Sequence, residues 1–423
     1  MSTTVLVTGV GTISPAGRTA LRTWSLLLSN ATCIRLLSLE PSSVNGHYNT
    51  GKASSGSSLL LAAGVASLDG SCEAAGSDRV TRFALAAAGE AVRSAGLQPA
   101  ELAGPAADRC RVSIGTSKGG VITFSGVLDS LASGRISASR LAGLTDIPPD
   151  AAARAVADRY GITGGVHATV GACATGTLAI LQAARWIEDG DADIVLAGSS
   201  DASIMLLWFA AFERMGVLAP AHPTLGPGFA CRPFDQTRQG FVIGEGAAVL
   251  VLESAESAHR RGACPLARIA GYAAGSDPAG LAQPTPDAEP VAAVIRKALD
   301  RARIGPAQLA AVFAHGTGTP TNDLVETTAL RHALGQYVTR IPIVSAKGAI
   351  GHLLGGAGSV ETALAVLATR ERNCPGTVTL LEPDSAFADL CLPRQSFKLG
   401  PGAILKVSMG FGGHLGAIVL VPA

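Results

Sequence analysis

Short apolar runs alternate along the chain with longer stretches of helical period. Thr4-Val5-Leu6-Val7-Thr8 reads as a strand stopping at Gly9, and the Ala-rich stretch from Arg82 to Ala95 as a helix broken by Gly96. Arg111 to Ile114 is a second strand, Ala174 to Asp189 a helix, and Asp193 to Ala197 and Ala247 to Glu253 are buried strands. The texture then repeats. Pro290 to Arg303 and Gly358 to Arg370 are helices, Ala311 to Ala314 is a strand delivering His315 to a Gly-rich loop, and Ala417 to Val421 closes the chain. This alternation predicts an α/β fold with helices covering a buried sheet. Each half ends on an apolar strand, which points to a duplication. The break falls near residue 255, giving halves 1–255 and 256–423. Residues 41–76, rich in Ser and Gly without clear periodicity, read as a loop or variable insertion.

Composition narrows the class. Apolar residues make up 48% and charged residues 15%, which argues against disorder. A net charge of +1 gives no reason to expect nucleic acid as a partner. The low charged fraction suggests that part of the surface is covered in an oligomer. The apolar run Ile204 to Phe212 is too short for a membrane span, and no signal peptide opens the sequence. The eight cysteines are widely and irregularly spaced with no CxxC pair, which disfavours zinc and a disulfide framework and fits a reducing cytoplasm.

Three segments could carry chemistry. In Gly171-Ala172-Cys173-Ala174-Thr175-Gly176, a strand-like run precedes the cysteine and a helix follows it. A thiol there meets the positive end of the helix dipole, which lowers its pKa and favours the thiolate nucleophile. A buried, inert cysteine is the competing reading. The second segment, His315-Gly316-Thr317-Gly318-Thr319, presents an imidazole and two hydroxyls on a glycine loop without a P-loop signature. An ordinary satisfied histidine competes. The third runs from Lys347 through His352 and Gly355-Gly356-Ala357-Gly358 to Glu361. Here a solvated lysine and a capping loop compete. Together they suggest thiolate acylation followed by a step that needs two hydrogen-bond donors.

These motifs, with VLVTGVGTISPAG at 5–17, IGTSKGG at 114–120, RPFDQTRQGFVIGEGAAVLVLE at 232–253 and SMGFGG at 408–413, resemble the β-ketoacyl-[acyl-carrier-protein] synthases of the elongating Cys-His-His type, in the thiolase superfamily. The resemblance runs nearly end to end and is weakest over 30–77. It implies the thiolase fold, with duplicated βαβαβαββ halves in five α-β-α-β-α layers. The first half carries the cysteine, and the second carries both histidines and a gating loop. It implies a decarboxylative Claisen condensation in fatty acid or polyketide biosynthesis, in which Cys173 accepts an acyl chain and malonyl on acyl carrier protein supplies the carbanion. His315 and His352 would donate Nε–H groups to the enolate, and Lys347 with Glu361 would orient His352. The backbone N–H groups of Cys173 and Phe411 would form an oxyanion hole, and Phe411 between glycines would gate the site. Thr317 and Thr319 would bind the phosphopantetheine arm, while Asp323 and Glu326 would shape the loop. No metal or permanently bound cofactor is implied. The implied partners are acyl carrier protein and a second synthase subunit, as a homodimer or a ketosynthase heterodimer, in the cytoplasm.

Departures from the family pattern matter. Lys118 stands where the acyl pocket is often lined by glycine or an aliphatic residue, so it either points to a carboxylate or solvent or makes the pocket take something short or polar. Met409 precedes Gly410 where a phenylalanine is usual, Gln239 replaces an Asp, and Leu281-Ala282-Gln283-Pro284 is less polar than expected. Two alternatives follow. A coenzyme-A thiolase would need a second, C-terminal cysteine, where this chain has Gly412-Gly413-His414. A non-catalytic chain-length-factor-like partner subunit typically lacks the cysteine that stands here at 173, and Lys118 and Met409 keep that alternative open.

Overall fold

The computed structural model describes residues 3–39, 48–49, 58–65, 77–134, 137–138, 141, 143–280 and 282–423. Ten strands form one large sheet. The first five are β1 (Val5–Ile13), β2 (Cys110–Gly115), β3 (Val166–His167), β4 (Ile194–Asp201) and β5 (Gly246–Ser254). The second five are β6 (Ala267–Ser276), β7 (Leu309–Phe313), β8 (Ile343–Val344), β9 (Ala403–Gly410) and β10 (His414–Val421). Their spatial order is β8-β7-β9-β10-β6-β1-β5-β4-β2-β3. Each set of five, counted along the chain, is arranged 3-2-4-5-1, and the two sets meet where β1 pairs antiparallel with β6. In both, the second strand is parallel to the fourth, and the fourth and fifth form an antiparallel pair.

The helices fall in matching places. α1 (Arg79–Ser94), α2 (Ala151–Tyr160) and α3 (Thr175–Glu188) follow the first three strands of the first set. α4 (Glu289–Ala302), α5 (Pro320–Leu334) and α6 (Ala357–Glu371) do the same in the second. Strand side chains alternate between two cores, as a period of two requires. Val249 and Val251 of β5 face α1 and α2, whereas Leu250 and Leu252 face the interior containing α3 and α6. A third core joins β9 and β10 to α4 and α5. The result is the five-layered thiolase fold, with α3 and α6 as the central layer. That layer is tight: a Cβ on Gly176 would sit 2.3 Å from the Ser359 nitrogen, and one on Gly358 would sit 2.7 Å from that of Thr177. α6 is buried over nearly its whole length, so it reads as apolar all round rather than on one face.

The region expected to be loop or insertion holds two strands. Tyr48–Asn49 and Ser58–Ala63 both pair with Arg35–Leu39, and Ala62 and Ala63 pair parallel with Ile243 and Gly244. The apolar run at 59–63 carries the longer strand, and the surrounding Ser and Gly masked it. This small sheet buttresses the site, because Ile243 also bridges to His352. Most of the other residues of 41–76, together with Cys72 and Leu281, lie outside the described residues. Cys33, Cys110, Cys173, Cys231, Cys264, Cys374 and Cys391 are free thiols. Among the described residues no helix is long and apolar enough to cross a membrane.

Candidate active site

Cys173 lies in the single turn Ala172–Ala174 that leads into α3. Ala172 has φ 46°, a conformation that costs a residue with a Cβ about 1–3 kcal/mol. Thr175 holds the turn in this shape: its hydroxyl accepts from the Gly171 N–H at 2.9 Å and donates to the Ala172 carbonyl at 2.7 Å. The sulfur faces a cavity of about 510 Å³ that is also lined by His315, His352, Thr317, Thr319, Met409, Gly410 and Phe411. The three catalytic candidates, 173, 315 and 352, therefore share one chamber although they come from different halves.

His352 Nε2 lies 3.1 Å from Cys173 Sγ. The Leu354 N–H donates to His352 Nδ1 at 3.3 Å, so the neutral ring carries its proton on Nε2, facing the sulfur. The backbone of His352 is pinned on both sides, its N–H to Val242 and its carbonyl to Gly244, each at 2.8 Å. The His315 ring stands 5.4 Å from that of His352 at an interplanar angle of 81°. Its Nδ1 is 3.5 Å from Lys347 Nζ. An ammonium can only donate, so His315 likewise keeps its proton on Nε2. Burial, with Lys347 next in effect, holds both imidazoles well below their usual pKa, so both are neutral donors.

Two expectations are corrected. Lys347 and Glu361 were expected to orient His352. Instead, Lys347 Nζ donates to the His315 carbonyl and ion-pairs with Glu361 Oε1 at 2.5 Å, while a backbone N–H sets the tautomer of His352. The helix N-terminus was expected to lower the thiol pKa. Burial dominates and pushes it up to about 11, against the lowering effects of Lys118, Lys347 and the Phe411 N–H. At neutral pH the buried sulfur is therefore a thiol.

Asp323 and Glu326 shape the loop as expected. Glu326 accepts from the N–H groups of His315 at 2.5 Å and Gly316 at 2.7 Å, and Asp323 accepts from those of Phe234 and Gly318 at 2.9 and 3.2 Å. Burial raises the Glu326 pKa to about 7. Thr317 and Thr319 line the cavity with their hydroxyls 2.9 Å apart. Phe411 follows Gly410 and precedes Gly412 and Gly413, whose φ values are 81° and 79°. Gly410 is needed for close approach, since a Cβ there would lie 3.1 Å from the Cys173 nitrogen and 2.7 Å from the Gly171 carbonyl oxygen.

Lys118, expected to bind substrate, is not part of the cavity wall. It points to a carboxylate, the first of the two options its sequence position left open. Its ammonium is 3.5 Å from Asp201 Oδ2, bonds Ser117 at 2.6 Å and Ser203 at 3.0 Å, and lies 5.0 Å from the Trp208 ring centroid. Two residues absent from the sequence-based set belong to this neighbourhood. Asp201 anchors Lys118, and Lys406, fully buried, lies 2.9 Å from Glu361 Oε2. A lysine inside the apolar strand Ala-Ile-Leu-Lys-Val-Ser was the available signal for Lys406, because unpaired lysines are almost never fully buried. Among the described residues no cluster of His, Cys, Asp or Glu is arranged to hold a metal ion.

Comparison with known proteins identifies the family. The family model "Beta-ketoacyl synthase, N-terminal domain" matches residues 2–258, and "Beta-ketoacyl synthase, C-terminal domain" matches 266–380. A putative polyketide beta-ketoacyl synthase 1 of Streptomyces halstedii is 34% identical over 99% of this chain and 98% of its own length. The 3-oxoacyl-[acyl-carrier-protein] synthase 2 of Staphylococcus aureus is 33% identical over 98% and 97%. Among solved structures, a type II polyketide ketosynthase in complex with its acyl-carrier protein superposes with TM-score 0.86 at 28% identity. A beta-ketoacyl synthase from Burkholderia phymatum superposes with TM-score 0.84 at 27% identity. Both cover the whole of each chain. With a cysteine at the head of a central helix, two imidazoles fixed as donors beside it, and matches spanning both halves, the chain belongs to the β-ketoacyl synthase family of the thiolase superfamily.

Proposed function

We propose that this chain is the catalytic subunit of a β-ketoacyl-[acyl-carrier-protein] synthase, an acyltransferase that condenses an acyl group held on Cys173 with a malonyl thioester. One observation carries the reading: the thiol lies 3.1 Å from the Nε2 of one imidazole, a second imidazole adjoins the first, and both are fixed as Nε2–H donors.

The sequence of steps follows from those donors. Cys173 Sγ attacks the acyl thioester carbonyl. The Cys173 and Phe411 N–H groups face the oxyanion, and the pantetheine sulfur leaves with the proton lost by the thiol. Malonyl thioester then binds. Its C–CO2 bond breaks, CO2 departs, and the electron pair forms an enolate whose oxygen is met by the Nε2–H groups of His315 and His352. The enolate carbon attacks the acyl carbon on Cys173. The tetrahedral intermediate collapses, expels the thiolate, and leaves a β-ketoacyl thioester; one proton from solvent restores the thiol. Neutral histidines suit this role, since each must donate without having first lost its proton to a base. Thr317 and Thr319 bind the pantetheine arm, Met409 and Gly410 bound the acyl site, and Phe411 opens and closes it on its glycine flanks. Lys118 acts on the thiol through charge. These roles require no resident cofactor, since the substrates arrive as pantetheine thioesters on acyl carrier protein.

We also infer a homodimer in the cytoplasm. Among the described residues β3 pairs only with β2 in the large sheet, which leaves its outer edge unpaired there, and Val166 within it and Val170 beyond it are 41% and 51% exposed. Phe124, Leu128 and Leu131 on the helix Val121–Ala132 are exposed as well. The catalytic reading takes precedence over a chain-length-factor-like role because Cys173 and both histidines are in register. Incubation with acyl carrier protein bearing an isotopically labelled acyl chain should place the label on the Cys173 peptide by mass spectrometry. No label, under conditions that acylate a control synthase, would refute it. Sedimentation should give twice the chain mass of 42.5 kDa; a monomer overturns the dimer.

A further inference from the structure

Lys406 is unusual in its surroundings. It lies in the middle of β9 with no exposed surface. Its ammonium bonds the Val407 carbonyl, bonds Ser408 Oγ at 3.0 Å, and ion-pairs with Glu361 Oε2 at 2.9 Å. Ser408 in turn bonds the Thr177 hydroxyl at 2.7 Å, which ties β9 to the first turn of the nucleophile helix α3. The other oxygen of Glu361 is held by Lys347. One buried carboxylate thus sits between two buried ammonium groups. Buried ions are retained at substantial cost unless they are matched; the other carboxylate acting on Lys406 is Glu326, whose pKa burial raises to about 7, so the cluster carries one positive charge in excess when Glu326 is protonated. A malonyl carboxylate that departs as CO2 leaves its electron pair, and so its negative charge, on the thioester enolate, where a positive charge stabilises it.

We propose that Lys406 is a positioning residue for the decarboxylation half of the reaction. By pairing with the far oxygen of Glu361, it fixes the carboxylate that holds Lys347 on His315 and places net positive charge behind the two imidazoles where the enolate forms. This rests on the condensation reading above. A fixed charge in a water-poor site stabilises a developing anion without reorganisation during the step. Lys347, Glu361, Glu326, Asp323, Lys118 and Cys173 are the other ionisable groups around the imidazoles. Of the charges acting on both rings, Lys406 is one, whereas the strongest lowering effects on the thiol come from Lys118 and Lys347. The effect of Lys406 therefore falls on decarboxylation more than on acylation. Burial also lowers the pKa of Lys406 itself, so its charge is lost at a lower pH than that of an ordinary lysine.

The test measures CO2 release from malonyl-pantetheine and, separately, acylation of Cys173, as functions of pH, in wild type, Lys406→Met, Lys406→Gln and Lys406→Arg. Gln keeps the hydrogen-bonding capacity toward Ser408 and is the deciding variant should Met fail to fold. Met or Gln should slow decarboxylation about tenfold, below the 10²–10³ of losing a direct donor, with a smaller effect on acylation. Without Lys406 the imidazole pKa values rise, so the low-pH limb should move to higher pH. Arg should restore the rate and carry the high-pH limb upward, because a guanidinium keeps its charge. An unchanged rate and pH profile in the folded Met or Gln variant overturns the proposal, as does an equal loss in both half-reactions. If wild type itself releases no CO2, the condensation reading fails and the proposal falls with it.

Discussion

The heads of α3 and α6 are the same construction used for opposite purposes. Each helix is preceded by a single 3-10 turn, Ala172–Ala174 or Leu354–Gly356, whose first residue has a positive φ, 46° in Ala172 and 50° in Leu354. The second residue of the turn is Cys173 in one and Gly355 in the other. The fourth strand of each half ends against that residue. In the second half, β9 ends in Gly410, whose missing side chain leaves room beside the Cys173 N–H. In the first half, β4 ends in Asp201, and its Oδ2 accepts from the Gly355 N–H at 3.1 Å. A carboxylate thus occupies, at the head of α6, the place that corresponds at the head of α3 to the space beside the Cys173 N–H, where the proposed mechanism puts the oxyanion. Even the flanking hydroxyl pairs match, Ser199 with Ser359 at 2.6 Å and Thr177 with Ser408 at 2.7 Å. The lesson is that one turn geometry exposes an N–H in both halves, met by Asp201 at the head of α6 and, on the proposed mechanism, by the substrate's oxyanion at the head of α3. The strand terminus decides whether that anion is the protein's own or the substrate's.

The comparison is broken most severely by making the two turns alike. Cys173→Ala should abolish acylation and condensation while leaving circular dichroism and Tm near wild type, because only one small buried side chain is shortened. Gly410→Asp places at the active turn the residue that ends β4. Acyl transfer should fall by at least about 10²–10³, the scale of losing an oxyanion donor, measured as the rate of label appearing on Cys173. Transfer at the wild-type rate would show that the oxyanion is met elsewhere.

The second half supplies the other donors, and their removal sharpens the division of labour. His315→Ala or His352→Ala should lower malonyl decarboxylation by about 10² each. The His352 variant should also change the reactivity of Cys173, because only His352 adjoins the sulfur. Equal effects of both variants on alkylation of Cys173 would argue against that division.

Much of this was legible in the sequence, for reasons particular residues make plain. Strands such as Ala247 to Glu253 are buried on both faces, so they appear as unbroken apolar runs, and the turns beside them are punctuated by glycine. Cys173, His315 and His352 stood out because small residues flank each of them. The sign of the thiol shift was not legible. A helix start is visible in a one-dimensional pattern, whereas the full burial that outweighs it depends on β9, β10 and α6, more than 180 residues away. For a related reason the sequence points Lys347 at His352 rather than at His315. Lys347 lies five residues from His352 in sequence, but its side chain is directed onto β7's terminus, where the His315 carbonyl emerges. Asp201 carries no motif of its own, and its role appears only when both halves are superimposed.

The smallest expected effect tests whether the sealed turn still reaches the open one. Asp201 and Lys118 are paired beside Gly355, yet both act on Cys173, Lys118 lowering its pKa and Asp201 raising it. Alkylation by iodoacetamide reports the thiolate, so in wild type its rate should keep rising with pH toward about 11. Lys118→Met removes the lowering charge and leaves the raising one, which should move the profile to higher pH. Asp201→Asn does the reverse and should move it to lower pH while keeping an acceptor for the Gly355 N–H. Shifts of about one pH unit or less are expected, since neither group touches the sulfur and each unit corresponds to about 1.4 kcal/mol. Opposite displacements by the two variants would mean that the two turns, although each satisfies its own N–H, share one electrostatic field. Displacements of the same sign would mean that the substitutions act by loosening the turn, because a packing change has no reason to reverse with the charge removed.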